Sequence, residues 1–210
     1  MIWSWIPGNG ALIWQLTYEN AYLGVVPALI GLVISLPLGV AAARWRWVQP
    51  PVLTVVNVIY AIPALALFIA LIPSLGLTDT NVVVALTLYS LCVITPNVAA
   101  GLRAVPPPVR QAATAMGFGA ARRLLTVELP LAGPVIIAGL RVAVVSGISL
   151  ASVGQLIGVA SLGYLFIDGE QRSFPTEIYT GLVLVIALAL ACDLVLIGVR
   201  RVLTPWGALS

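Results

Sequence analysis

Arg110-Gln111-Ala112-Ala113-Thr114-Ala115-Met116-Gly117-Phe118-Gly119-Ala120-Ala121-Arg122-Arg123-Leu124-Leu125-Thr126-Val127-Glu128-Leu129-Pro130 separates two long apolar runs. It carries three of the ten arginines, which makes it too polar for hydrocarbon and sets it outside a bilayer. Val109, Ala112, Ala113, Met116, Ala120 and Leu124 recur at helical spacing as one apolar stripe, with Arg110, Gln111, Thr114 and Arg123 away from it. The spacing predicts a pair of short amphipathic helices. Pro106-Pro107-Pro108 supply a stiff lead-in whose last proline suits a first helical position. Gly117 and Gly119 flank Phe118 where the first helix ends and turns.

Around this stretch the chain is 61% hydrophobic and 8% charged, whereas a soluble domain carries about 25% charged residues. The composition therefore reads as an integral membrane protein, all-α because a helix satisfies its own backbone in lipid. The 210 residues suffice for about five spans of roughly 20 residues each. Residues 1–210 then form a single transmembrane domain with no room for a soluble one. The chain has no histidine, and all ten basic residues are arginine. Without lysine there is no Walker phosphate loop, and without histidine no serine-histidine-aspartate triad and no histidine zinc site. Neither a cofactor nor a metal is expected in this chain, and any ATP chemistry must come from another subunit. Cys92 and Cys192 fall inside predicted spans and read as small packing residues rather than a redox pair.

Residues 1–20 contain Trp3, Trp5, Trp14 and Tyr18 but no basic residue, which suits an interfacial segment better than a cleaved signal peptide. Spans are expected over about 22–43, 52–71, 82–102, 131–157 and 178–199, with 103–130 as the polar loop. Residues 72–79 form a turn, Thr95-Pro96-Asn97 should kink the third span, and 161–177 form a polar outer loop. Arg44, Arg46, Arg103, Arg110, Arg122, Arg123, Arg200 and Arg201 fall on one side of this arrangement and Arg172 alone on the other. Cytoplasmic loops are enriched in basic residues, so the N-terminus is expected outside and the C-terminus inside.

Ionised groups inside a span are costly and point to function or to pairing. Arg141 and Asp193 are expected at similar depth, where they could pair structurally or handle substrate. Asn57, Tyr60, Asn97, Ser149 and Gln155 are the candidate residues of a translocation path. Ser146, Ser149, Ser152 and Gln155 sweep about half a turn at 3.6 residues per turn, so they cannot all face one pore. Helix packing is the simpler reading of the serines.

The opening stretch resembles the cytoplasmic coupling loop of permease subunits of binding-protein-dependent ABC importers. That loop reads Glu-Ala-Ala, three residues, Gly, nine residues, Ile, any residue, Leu-Pro. Gln111-Ala112-Ala113, Gly117 and Val127-Glu128-Leu129-Pro130 match with both gaps, Gln111 and Val127 being departures. Further stretches are similar to the osmoprotectant branch, which moves glycine betaine, choline and carnitine. These are Ile62-Pro63-Ala64-Leu65-Ala66-Leu67, Ile72-Pro73-Ser74-Leu75-Gly76, and the run from Glu128 to Arg141. Gly158-Val159-Ala160-Ser161-Leu162-Gly163 departs from the relatives' nearly unbroken glycine run.

The resemblance implies a multi-pass permease of a bacterial or archaeal inner (plasma) membrane, surrounded by lipid and without a nucleic-acid partner. It would pair with a second copy or a sister permease, with ABC ATPase subunits that bind the ATP, and with an extracytoplasmic substrate-binding protein. Gln111, Ala112, Ala113, Gly117, Phe118, Leu129 and Pro130 would couple it to the ATPase. An importer of another small polar solute such as an amino acid is the nearest alternative. A secondary carrier or channel has only Asp193 as an intramembrane acid to support it, and a membrane enzyme only scattered serines.

Overall fold

A computed structural model describes residues 4–204; Trp3 of the expected interfacial segment lies outside them. Among the described residues every regular element is helical. A short α1 (Trp5–Gly8) leads into α2 (Gly10–Arg44), 35 residues long with Pro27 and Pro37 inside it. The first span thus begins well before residue 22. Its early part is helical because it has a partner: Leu16 is buried against Leu162 and Leu165, while Trp14 and Tyr18 stay exposed.

The second span is not one helix. It divides into α3 (Gln49–Ala61) and α4 (Ala64–Leu75), bent by 96°. The cause is Pro63, which disfavours helical backbone at the residue before it; Ile62 is extended at φ −73°, ψ 128°. The freed Ile62 carbonyl accepts a hydrogen bond from the Tyr89 hydroxyl. α5 (Asp79–Ala104) runs on through Pro96 as a single helix, so the expected kink there is not a break.

α2 and α5 form the centre. Gly31 and Gly39 give α2 a smooth seam against α5: a Cβ on Gly31 would stand 2.6 Å from Ser90 Cβ, and one on Gly39 2.5 Å from Val98 Cβ. Along the same seam the Thr95 hydroxyl donates to Ser35 Oγ at 3.0 Å, and Arg103 donates to the Ala42 carbonyl. The partners rise together in number, so α2 and α5 are parallel. The chain must return between them from one end of the bundle to the other, and α3 with α4 makes that return.

α8 (Leu129–Ala151) is antiparallel to both. Its far end meets the start of α2, where buried Asn20 Nδ2 donates to the Ile148 carbonyl at 3.1 Å; Gly101 lies beside Ala132 at the near end. A 3₁₀ segment, Ser152–Ile157, prolongs α8 and ends at Gly158 in left-handed backbone. The expected outer loop is largely helical: α9 (Gly163–Gln171) packs Leu165 and Gly169 inward. Leu165 meets Gly181, and Gly169 meets Ile178, in α10 (Pro175–Leu203). α10 is peripheral, with 6% of its most apolar window buried against 61% for α5. Among the described residues four helices are long and apolar enough to cross a membrane, or up to five if the bent pair counts as one span.

Candidate functional site

One end of the bundle gathers the C-termini of α2, α5 and α10 and the start of α8. Between α5 and α8 the polar stretch forms α6 (Pro107–Ala115), with Pro107 and Pro108 in its first turn. Proline suits this place because first-turn N–H groups have no helical partner. Of the expected stripe only Ala113 is buried, at 1% exposure; Val109 and Leu124 are half-buried, and Ala112, Ala120 and Met116 (68%) are exposed. The stripe is thus mostly an open surface rather than one covered by the chain. Gln111 is exposed on the same helix.

α6 stops as its glycine demands. Gly117 sits at φ +81°; its N–H donates to the Thr114 carbonyl at 3.0 Å, and the Phe118 N–H donates to the Ala113 carbonyl at 3.1 Å. This paired closure satisfies carbonyls that the last helical turn leaves free. Phe118 is half-buried, with the Arg122 guanidinium 4.4 Å from its ring centroid.

The expected second short helix is not separate. α7 (Ala120–Arg123) passes through a π-helical turn, Leu124–Glu128, straight into α8, so that 120–157 is one 38-residue unit. Leu129 and Pro130 are half-buried at the start of α8. The wider turn makes a contact that sequence reasoning missed. Arg123 Nε donates to Glu128 Oε1 at 2.8 Å, and Arg123 Nη1 donates to Thr114 Oγ1 on α6 at 2.7 Å. Residues five apart do not face each other on an α-helix, so only the π turn exposes this bridge.

The path candidates are dispersed. Asn57 and Tyr60 lie exposed on α3, the Tyr60 ring edge-on to Tyr89 with centroids 6.2 Å apart. Asn97 Nδ2 donates to the Val93 carbonyl, and the side chain fills the contact with Gly139 of α8. Ser149 is exposed and donates to the Val145 carbonyl; Gln155 Oε1 is buried in the 3₁₀ segment without a hydrogen-bond partner. No hydrogen bond links any two of the five. Ser152 instead donates to Asn20 Oδ1 while Ser146 and Ser149 face outward, the division that helical rotation requires.

Arg141 and Asp193 do pair, joining α8 to α10 through two bonds of 2.7 Å from Nε and Nη2 to the two carboxylate oxygens. Such a two-bond guanidinium–carboxylate pair fixes orientation as well as charge. It lines a groove of about 540 Å³ together with Ser146, Val142 and Leu190. Cys92 and Cys192 are both free thiols.

Comparison with known proteins agrees with this architecture. Residues 31–206 match the family described as "Binding-protein-dependent transport system inner membrane component". The osmoprotectant import permease protein OsmW of Salmonella typhimurium is 33% identical over 204 residues, covering 95% of each chain. The choline transport system permease protein OpuBB of Bacillus subtilis is 35% identical over 95% of this chain and 92% of its own length. A chain of the MetNI methionine ABC transporter in an inward-facing crystal form superposes with a TM-score of 0.82. It is 22% identical, over 97% of this chain and 100% of that one, and so shares the fold.

Proposed function

The chain belongs to the family of inner membrane components of binding-protein-dependent transport systems, and on that premise we propose that it imports quaternary-amine osmoprotectants such as glycine betaine, choline or carnitine. The permease is not itself an enzyme; ATP is bound and hydrolysed by a partner subunit. The solute reading is supported by relatives named for osmoprotectant, choline and carnitine transport, which match over nearly the whole chain. The likeness to the methionine transporter concerns the fold only.

The observation that carries the coupling role is α6 itself: a nine-residue helix outside the bundle, exposed at Gln111 and Ala112 and closed by left-handed Gly117. An ATPase that grips α6 pulls on α8 by two routes, the covalent one through 120–130 and the Thr114–Arg123–Glu128 bridge. Closure of two ATPase subunits on ATP would tilt α8 and open the path alternately to either side. A second copy or sister permease completes that path, and an extracytoplasmic binding protein delivers solute. In this reading the coupling end faces the cytoplasm of a bacterial or archaeal cell.

Reconstitution into vesicles with the ATPase and binding protein tests the reading. Uptake of radiolabelled glycine betaine or choline is expected to require both ATP and the binding protein. Binding-protein-driven uptake of an amino acid, with no betaine or choline transport, would replace the solute assignment. Uptake driven by an ion gradient without ATPase would overturn the importer reading.

A further inference from the structure

We propose that the cleft between α6, the ends of α2 and α5, and α7 with its π turn is a binding site for a phosphate-type anion, supplied by the headgroup of an anionic phospholipid or by free phosphate. The cleft, of about 310 Å³, is lined by Arg44, Arg103, Arg110 and Arg123 but by one carboxylate, Glu128. That volume equals about ten waters at about 30 Å³ each, room for a phosphate and part of its hydration. Glu128 is taken by Arg123. The other three guanidiniums have only main-chain carbonyls as partners: Ala120 for Arg44, Ala42 for Arg103, Leu102 for Arg110. Carbonyls satisfy single N–H groups without cancelling charge, and Arg110 Nε is buried with no partner at all. Four cations facing one anion in a shared cleft repel one another, and an oxyanion that accepts forked guanidinium bonds relieves this.

The depth of the cleft favours a headgroup. Arg44 is followed by Trp45 and Trp47, exposed at 53% and 78%, and aromatic side chains of this kind settle at the headgroup level. Basic pockets at the cytoplasmic end of membrane helices attract anionic lipid phosphates. The inference stands apart from the identity of the transported solute. Because the cleft sits between α6 and the ends of α2 and α5, its occupant would brace the coupling helix against the bundle.

The test uses the permease–ATPase complex, purified in mixed phosphatidylglycerol and phosphatidylcholine and examined by native mass spectrometry. Wild type should retain phosphatidylglycerol over phosphatidylcholine. Arg110→Gln should lose about fivefold in that retention, and adding Arg103→Gln about fivefold more. Arg110→Lys should keep most of it, and Arg201→Gln, outside the cleft, should change nothing. Displacement of the lipid by millimolar inorganic phosphate would identify the free anion as the source; resistance to it would identify the headgroup. Equal retention of both lipids by wild type with no phosphate binding overturns the proposal, as does an equal loss in Arg201→Gln. Unchanged lipid retention in Arg110→Gln with loss of the ATPase would make an acidic segment of that subunit the occupant, and also overturns it.

Discussion

Gly117 holds φ at +81°, and no atom beyond its chain neighbours lies within 4 Å of where its Cβ would stand. A side chain there is opposed by the backbone alone, at about 1–2 kcal/mol for left-handed geometry. Gly117→Val should leave the permease inserted and assembled, because nothing in the bundle is touched. It should reduce uptake several-fold, because α6 and α7 are no longer held at their angle, while ATP hydrolysis persists without stimulation by the loaded binding protein. Gly117→Asn should recover much of the loss, since asparagine visits this backbone region more readily. Paired uptake and ATPase assays in vesicles decide the matter; full stimulated uptake by Gly117→Val would remove the coupling role. This glycine was legible in the sequence because its chemistry is local. Glu128 was not: its burial depends on a π turn that leaves no mark in the spacing of apolar residues.

At the scale of an element, the bend between α3 and α4 shows what hydropathy cannot read. Residues 52–71 are evenly apolar, so their composition suits one straight span, while the direction of the chain is set by Pro63. The break leaves a carbonyl that a membrane interior cannot satisfy, and Tyr89 satisfies it from α5. Tyr89→Phe keeps the ring and its edge contact with Tyr60 but orphans Ile62. A loss of about 1–3 kcal/mol is expected, the cost of a part-buried carbonyl left without a partner where lipid offers none. Thermal unfolding in detergent measures it, and an unchanged midpoint would mean that water already reaches the break. α9 was misread for a related reason. Its Asp168 and Glu170, with Arg172 just after it, look like loop residues, yet the helix is fixed by inward Leu165 and Gly169, whose partners lie on α10.

For the whole molecule, the decisive relation is that α2 and α5 are parallel. If both cross the membrane, the bent pair between them must cross back, and the chain crosses five times in all. Eight arginines then collect at the coupling end, namely Arg44, Arg46, Arg103, Arg110, Arg122, Arg123, Arg200 and Arg201, with Arg172 at the other. Arg172 is held by Asp168 and by Glu177, whose side chain is fully buried, so the far end is acidic on balance. The asymmetry was readable from sequence because charge and order suffice for it; the parallel seam was not, because it depends on which glycines meet which side chains. Positive charge favours the cytoplasmic side, so we propose that the coupling end faces inward. Single-cysteine labelling in intact cells, in a background lacking Cys92 and Cys192, tests this. Thr114→Cys, exposed on α6, should resist a membrane-impermeant maleimide until the cells are opened. Glu170→Cys, exposed on α9, should react from outside; Gly169 is unsuitable because a Cβ there would meet Ile178 at 2.8 Å. Four crossings, with the bent pair re-entering the face it left, would still keep α6 and α9 on opposite sides, because α8 lies between them, but would put α1 on the side of α6. With five crossings Gly8→Cys, exposed on α1, should instead react from outside together with Glu170→Cys. Reaction of both Thr114→Cys and Glu170→Cys from outside, or of neither, would mean that α8 does not cross between them; reaction of Thr114→Cys alone would invert the orientation, and protection of Gly8→Cys while Glu170→Cys reacts would sink the five-crossing arrangement.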